Sequence, residues 1–124
     1  MATIPMDKLA ESLNATLDET CRAIKIALFN GVIRDTRVAT GRLRGNWQTN
    51  TGSPKDREID RQDKTPQGGD GGSAQEEVKN TVKGDTVDYL TNNLPYAEVF
   101  NEKDGMIAKN VARMDRNVRE AVKK

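Results

Sequence analysis

Apolar residues recur at steps of three and four along the first quarter of the chain: Met6, Leu9, Leu13, Leu17, Cys21, Ile24, Leu28 and Val32. That spacing puts one apolar stripe on a single long helix. Pro5 and Asp7 suit its first turn, and Gly31 is the one weak point before Arg37. At 1.5 Å per residue such a helix is roughly 40–45 Å long, too long for the rest of a small chain to cover. After Thr40-Gly41 the period changes. Leu43 and Trp47 fall on one side of an expected strand, with Arg42, Arg44, Asn46 and Gln48 on the other. Two more strands are expected at about Val78–Val82 and Thr86–Leu90, joined by the turn-rich Lys83-Gly84-Asp85. A final helix starts near Gly105 and carries Ile107, Val111, Met114, Val118 and Val122 on one face. The pattern predicts an α+β fold: a long N-terminal and a C-terminal helix packed on a small antiparallel sheet. The two helices are expected to meet through Leu13, Leu17, Ile24, Val111, Met114 and Val118.

Residues 51–77 interrupt these periodic segments. Glycine, proline and charge dominate them, and Ile59 is their one clearly apolar side chain. Such a segment buries little surface against its ordering entropy, which predicts a mobile loop or an arm that orders on a partner. Residues 1–124 read as one domain, with 51–77 as its mobile loop or arm.

Of the 124 residues, 35% are hydrophobic and 31% charged, so the expected core is thin and partners are expected to supply part of the burial. A net charge of +1 argues against a protein that coats DNA or a membrane surface. The lone Cys21 forms no intramolecular disulfide and, lying on the apolar stripe, reads as a packed thiol. With no leader-like start and no run approaching the roughly 20 apolar residues of a membrane span, the chain is expected to be soluble and made in the cytoplasm.

Chemistry is sparse. There is no histidine, which removes the commonest general base, and one cysteine without histidine leaves no ordinary zinc set. The glycines of "GGDGGS" lack the Lys-Ser/Thr of a phosphate loop. Asp56, Glu58, Asp60 and Asp63 lack the glycine and terminal glutamate of a calcium loop. No enzyme activity, cofactor or metal is expected. Arg34, Arg37, Arg42 and Arg44 form the one basic cluster, read either as a solvated face or as a contact with a neighbouring subunit or nucleic acid. Trp47 shares a face with Leu43 and reads as core.

The corner at Tyr89, Asn92, Asn93, Pro95 and Tyr96 is rich in shape and poor in chemistry. Thr91-Asn92-Asn93 turn the chain, Pro95 fixes its direction, and Tyr96, Ala97, Val99 and Phe100 are expected to pack back. This corner, "VDYLTNNLPYAEVFN" (87–101), follows "TGRLRGNWQTNTG" (40–52) and precedes "GMIAKNVARM" (105–114). In that order the three stretches resemble the tail-completion, or neck, proteins of tailed bacteriophages, relatives of lambda's minor tail protein Z. The likeness spans nearly all of the chain outside 51–77. It departs from the family's Glu-aromatic-Gly pattern at Val99-Phe100-Asn101-Glu102.

The resemblance implies a structural virion protein at the head–tail junction. It would form a ring, a hexamer by expectation, at the head-proximal end of the tail and enable head–tail joining. Its partners would be copies of itself, neighbouring neck proteins, and tail terminator or tail tube proteins. DNA would pass through the lumen without sequence-specific contacts, and no membrane would be involved. A tail terminator ring is the nearest alternative. A small nucleic-acid-binding regulator using the Arg34–Arg44 cluster is an alternative of another class.

Overall fold

The computed structural model describes residues 6–123, with side chains described for 16–117, 119 and 120. The fold is α+β. In chain order it contains α1 (Met6–Arg34), α2 (Arg42–Gly45), β1 (Trp47–Thr51), α3 (Gly72–Thr81), β2 (Asp88–Asn92), α4 (Ala97–Asp104) and α5 (Met106–Lys123). β1 and β2 pair antiparallel in a two-stranded sheet, with Trp47 opposite Asn92 and Thr49 opposite Leu90.

The long helix expected from the apolar stripe is α1, and its 29 residues reach roughly 43 Å. Burial is concentrated at its C-terminal end. Val32 and Ile33 join Trp47 of β1, Ala74, Val78 and Val82 on and just after α3, and Met106 at the start of α5 in one closed core. Leu43, Leu94 and Ala97 make a second, smaller cluster, and Phe100 packs against both. Gly31 lies where α5 approaches: a Cβ there would stand 2.1 Å from Asn110 Oδ1. The gap in the helical stripe is therefore a crossing point.

Residues 16–23 of α1 lie outside this core and are all exposed. Leu17 is 61% exposed and Cys21 is exposed, so the expected packing of Leu17 and the expected packed thiol are both corrected. Two half-buried residues, Ile24 of α1 and Met114 of α5, line a shared depression. Leu13 and Val118, the remaining expected contacts, lie outside the described side chains, as do Met6, Leu9 and Val122.

One expected strand is a helix, and another begins as one. Ala74, Val78 and Val82 are spaced by four and all buried, the first two on α3 and the third just after it; read from Val78 alone, the same residues mimic a strand. Leu43 and Trp47 are likewise four apart. Leu43 sits in the short α2, which opens from Gly41 at φ 86, and the chain becomes extended only at Trp47. The expected strand at 86–90 is present as β2, displaced by two residues.

The segment 51–77 does not stand off as an arm. Its last residues belong to α3, and those before them run back across the fold as a strap. Gln48 donates from Nε2 to Arg57 O (2.6 Å), and Asn46 Oδ1 accepts the Ile59 N–H (2.8 Å). Asp63 N–H bonds Gly41 O (2.8 Å), and Gly68 N–H bonds Arg34 O (2.8 Å). Polar side chains and main-chain groups fix this segment, so its low apolar content says little about its path.

Candidate functional site

The expected arginine cluster is distributed over separate intrachain contacts. Arg34 Nε lies 3.0 Å from Asp70 Oδ1. Arg37 grips Asp104 through two hydrogen bonds and places its guanidinium 5.2 Å from the centre of the Phe100 ring. The hydrogen bond from Arg37 is the main reason that the Asp104 carboxyl lies below its ordinary range. Arg42 stands 3.7 Å from Glu58 and 3.9 Å from Asp60, loose surface pairings on the strap.

Arg44 is fully buried, which corrects its placement on a solvent-facing strand and removes it from any subunit surface of this fold. Its Nη2 donates to the carbonyls of Gly69 (3.1 Å) and Gly71 (2.8 Å), and its Nε lies 3.3 Å from the buried Asp63 Oδ2. Asp63 also accepts the main-chain N–H of Thr65 (3.1 Å) and of Ala74 in the first turn of α3 (3.2 Å). Burial alone pushes the Asp63 carboxyl up, but the hydrogen bonds from Thr65 and Ala74, together with Arg44, outweigh it and hold the carboxyl below its ordinary range.

The corner residues do structural work around β2. Trp47 is buried and donates from Nε1 to Thr36 Oγ1 (2.8 Å). Asn92 donates from Nδ2 to Leu43 O (2.8 Å) and accepts the Leu94 N–H at Oδ1 (3.2 Å), tying the end of β2 to α2. Asn93 Nδ2 reaches Lys55 O on the strap (2.8 Å). Pro95 is exposed, and Tyr96 meets Phe100 edge-on, ring centroids 5.9 Å apart. Of the residues expected to pack back, Ala97 is buried and Phe100 half-buried, whereas Val99 is exposed. Tyr89 is partly exposed and lines a groove with Leu28, Phe29, Leu90, Ile107 and Val111.

A polar depression of about 650 Å³ lies between the C-terminal end of α1 and α5, lined in part by Asp35, Arg37, Asp104, Lys109 and Arg113. Its carboxylates are committed: Asp104 to Arg37, and Asp35 to Arg113 (3.3 Å) and Asn110 (2.9 Å). Among the described residues no group of His, Cys, Asp or Glu could hold a metal ion, and no helix is long and apolar enough to cross a membrane. What sequence reasoning missed is the apolar surface left open beside β2 and on α5, where Ile107 and Val111 are more than 40% exposed; on α1, the helix expected to be too long to cover, Leu17 is 61% exposed. The stripe itself signalled these residues, but not which of them the fold would leave uncovered.

Compared with protein-family models, with curated proteins and with solved structures, the chain gives no match.

Proposed function

We propose that this chain is a structural subunit of a phage neck, forming a closed ring, six-membered by expectation, at the head-proximal end of the tail. The observation that carries the reading is the uncovered stretch of α1 at residues 16–23, all exposed, with Leu17 among them. A second copy could bury what the chain's own core does not reach. The sequence resemblance supplies the neck assignment, and the α+β architecture agrees with it.

The arginines are not the basis of this reading. Arg44 is interior, and Arg34, Arg37 and Arg42 have carboxylate partners on their own chain. The same pairing weakens the nucleic-acid-regulator alternative, which needs free positive charge for phosphates. A cyclic ring uses a heterologous interface, and the exposed side of α1 is one of its two patches.

The test is solution mass and particle imaging of the purified protein, alone and as Leu17→Asp. Rings that Leu17→Asp dissociates, without loss of helical signal, support the proposal. In phage lacking the gene, filled heads and complete tails should accumulate unjoined, and the wild-type protein should restore joining where Leu17→Asp does not. Normal infectious particles without the protein end the neck reading.

A further inference from the structure

The two outer edges of the sheet are treated differently. In this register Gly52 N–H bonds Val87 O (2.8 Å), so Val87, Tyr89 and Thr91 turn their main-chain groups toward β1. By alternation Asp88, Leu90 and Asn92 turn theirs outward, as do Trp47, Thr49 and Thr51 on the far side of β1.

The outer edge of β1 is blocked. Arg61 of the strap donates from Nη2 to Trp47 O (2.8 Å), and Glu77 of α3 accepts the Thr49 N–H (2.8 Å). Arg61 and Glu77 are themselves paired at 3.1 Å, so they form a plug made of two side chains. The outer edge of β2 has no such plug. Among the described residues no partner engages the main-chain N–H or C=O of Asp88, Leu90 or Asn92.

Two grooves border β2 and meet at Leu90. One, of about 200 Å³, touches Asp88, Tyr89 and Leu90. The other, of about 220 Å³, touches Leu90, Thr91 and Asn92. They share Trp47 and Leu90 on the sheet and Ile107 of α5. At the far end stands Glu98, exposed and with no ion pair or hydrogen bond among the described residues.

We propose that the β2 edge is a strand-addition site that takes an extended segment of another protein as the third strand of the sheet. Open main-chain donors and acceptors dictate an extended backbone, because only that conformation matches their spacing. The Trp47–Leu90–Ile107 lining selects an apolar side chain at alternate positions, and the unpaired Glu98 selects a lysine or arginine at one end. Ile107 of the same chain's α5 lines both grooves, and Val111 lines one of them. A single strand fits this arrangement, whereas the edge of a second copy would bring its own α5 with it. A two-stranded sheet is marginal by itself, so a third strand also stabilises the host. The site stands on this geometry and is independent of the ring.

The probe is a blocked six-residue peptide alternating valine and threonine, with lysine at one end, added at millimolar concentration to the isotope-labelled full chain. Amide exchange at Asp88, Leu90 and Asn92 should slow roughly tenfold or more, while Tyr89 and Thr91, already bonded to β1, change far less. The same peptide with alternate backbone nitrogens methylated should have no effect. Glu98→Lys, an exposed change that leaves the fold intact, should weaken the lysine peptide and favour a glutamate-ended one. Unchanged exchange at the three outward amides overturns the proposal. So does protection of those amides that rises with protein concentration in the absence of peptide, since the occupant is then a second copy.

Discussion

Arg44 and Asp63 face each other at 3.3 Å with both side chains essentially sealed from solvent. They join α2 to the middle of the strap, and the strap to the first turn of α3, in one buried polar node. Removing one partner leaves the other charge buried and uncompensated, which costs about 3–5 kcal/mol. Arg44→Met should therefore lower the urea midpoint severely. Arg44→Met combined with Asp63→Leu should recover part of the loss, because it removes the uncompensated charge but leaves the Thr65 and Ala74 N–H groups without their acceptor. A double variant no better than the single would mean that Arg44 acts through its carbonyl contacts with Gly69 and Gly71.

The same node sets an acid limit. The Asp63 carboxyl is held below its ordinary value in the folded chain, so its contribution is complete above the unfolded value of about 3.9. That contribution is lost as pH falls through the depressed folded value. Asp88 moves in the same direction: burial pushes it up, but hydrogen bonds from Thr51, Thr86 and Lys25 more than offset this. Stability measured by urea unfolding should therefore hold between neutrality and about pH 5 and fall steeply below pH 4. Asp63→Asn should start lower and show a shallower fall.

Gly31→Ala tests the crossing of α1 and α5. Helix propensity alone favours alanine by about 1 kcal/mol. The added Cβ would stand 2.1 Å from Asn110 Oδ1, and Asn110 is held by Met106 O and Asp35. The variant should melt below the wild type. Stabilisation instead would show that α5 can slide at this contact.

Leu17→Asp should leave the fold of the isolated chain nearly untouched, within about 0.5 kcal/mol, because Leu17 is 61% exposed. Any larger loss should appear only at concentrations where subunits associate. A large concentration-independent loss would place Leu17 in the monomer's own core.

Trypsin provides a map of the strap. Lys55 and Arg57 are exposed, whereas the Arg61 side chain is engaged by Gly45 O, Trp47 O and Glu77. Cleavage should begin at Lys55 or Arg57 and reach Arg61 only after the strap is released. First cleavage at Arg61 would contradict the fixed path.

What could be read in the chain beforehand divides along physical lines. α1 and α5 carry sustained helical periods, and β2 alternates, so each was legible. α2 and α3 were not, because single pairs such as Leu43/Trp47 and Val78/Val82 sit four apart, a spacing that fits one helical face and also one strand face. The strap was opaque for another reason: its order rests on hydrogen bonds to main-chain carbonyls, which leave no mark on hydropathy. Nothing near Arg44 announces Asp63 as its partner, and the arginine cluster looked like a surface for want of that information. The open edge of β2 depends on Arg61 and Glu77 plugging the other side, a relationship between three separate elements.

The strap also has a kinetic consequence. β1 and β2 are neighbours in space, but the strap and α3 lie between them in sequence, so pairing must wait for closure of the whole loop from Thr51 to Asp88. α3 is too short to persist alone, and its first turn leans on Asp63. Sheet, strap and α3 are therefore expected to form together, which stopped-flow refolding would show as one shared phase for Trp47 fluorescence and helical signal. α1 is tied into the same event through Arg22, which donates to Lys79 O at the end of α3 and to Val82 O just after it, so the helix docks as α3 forms.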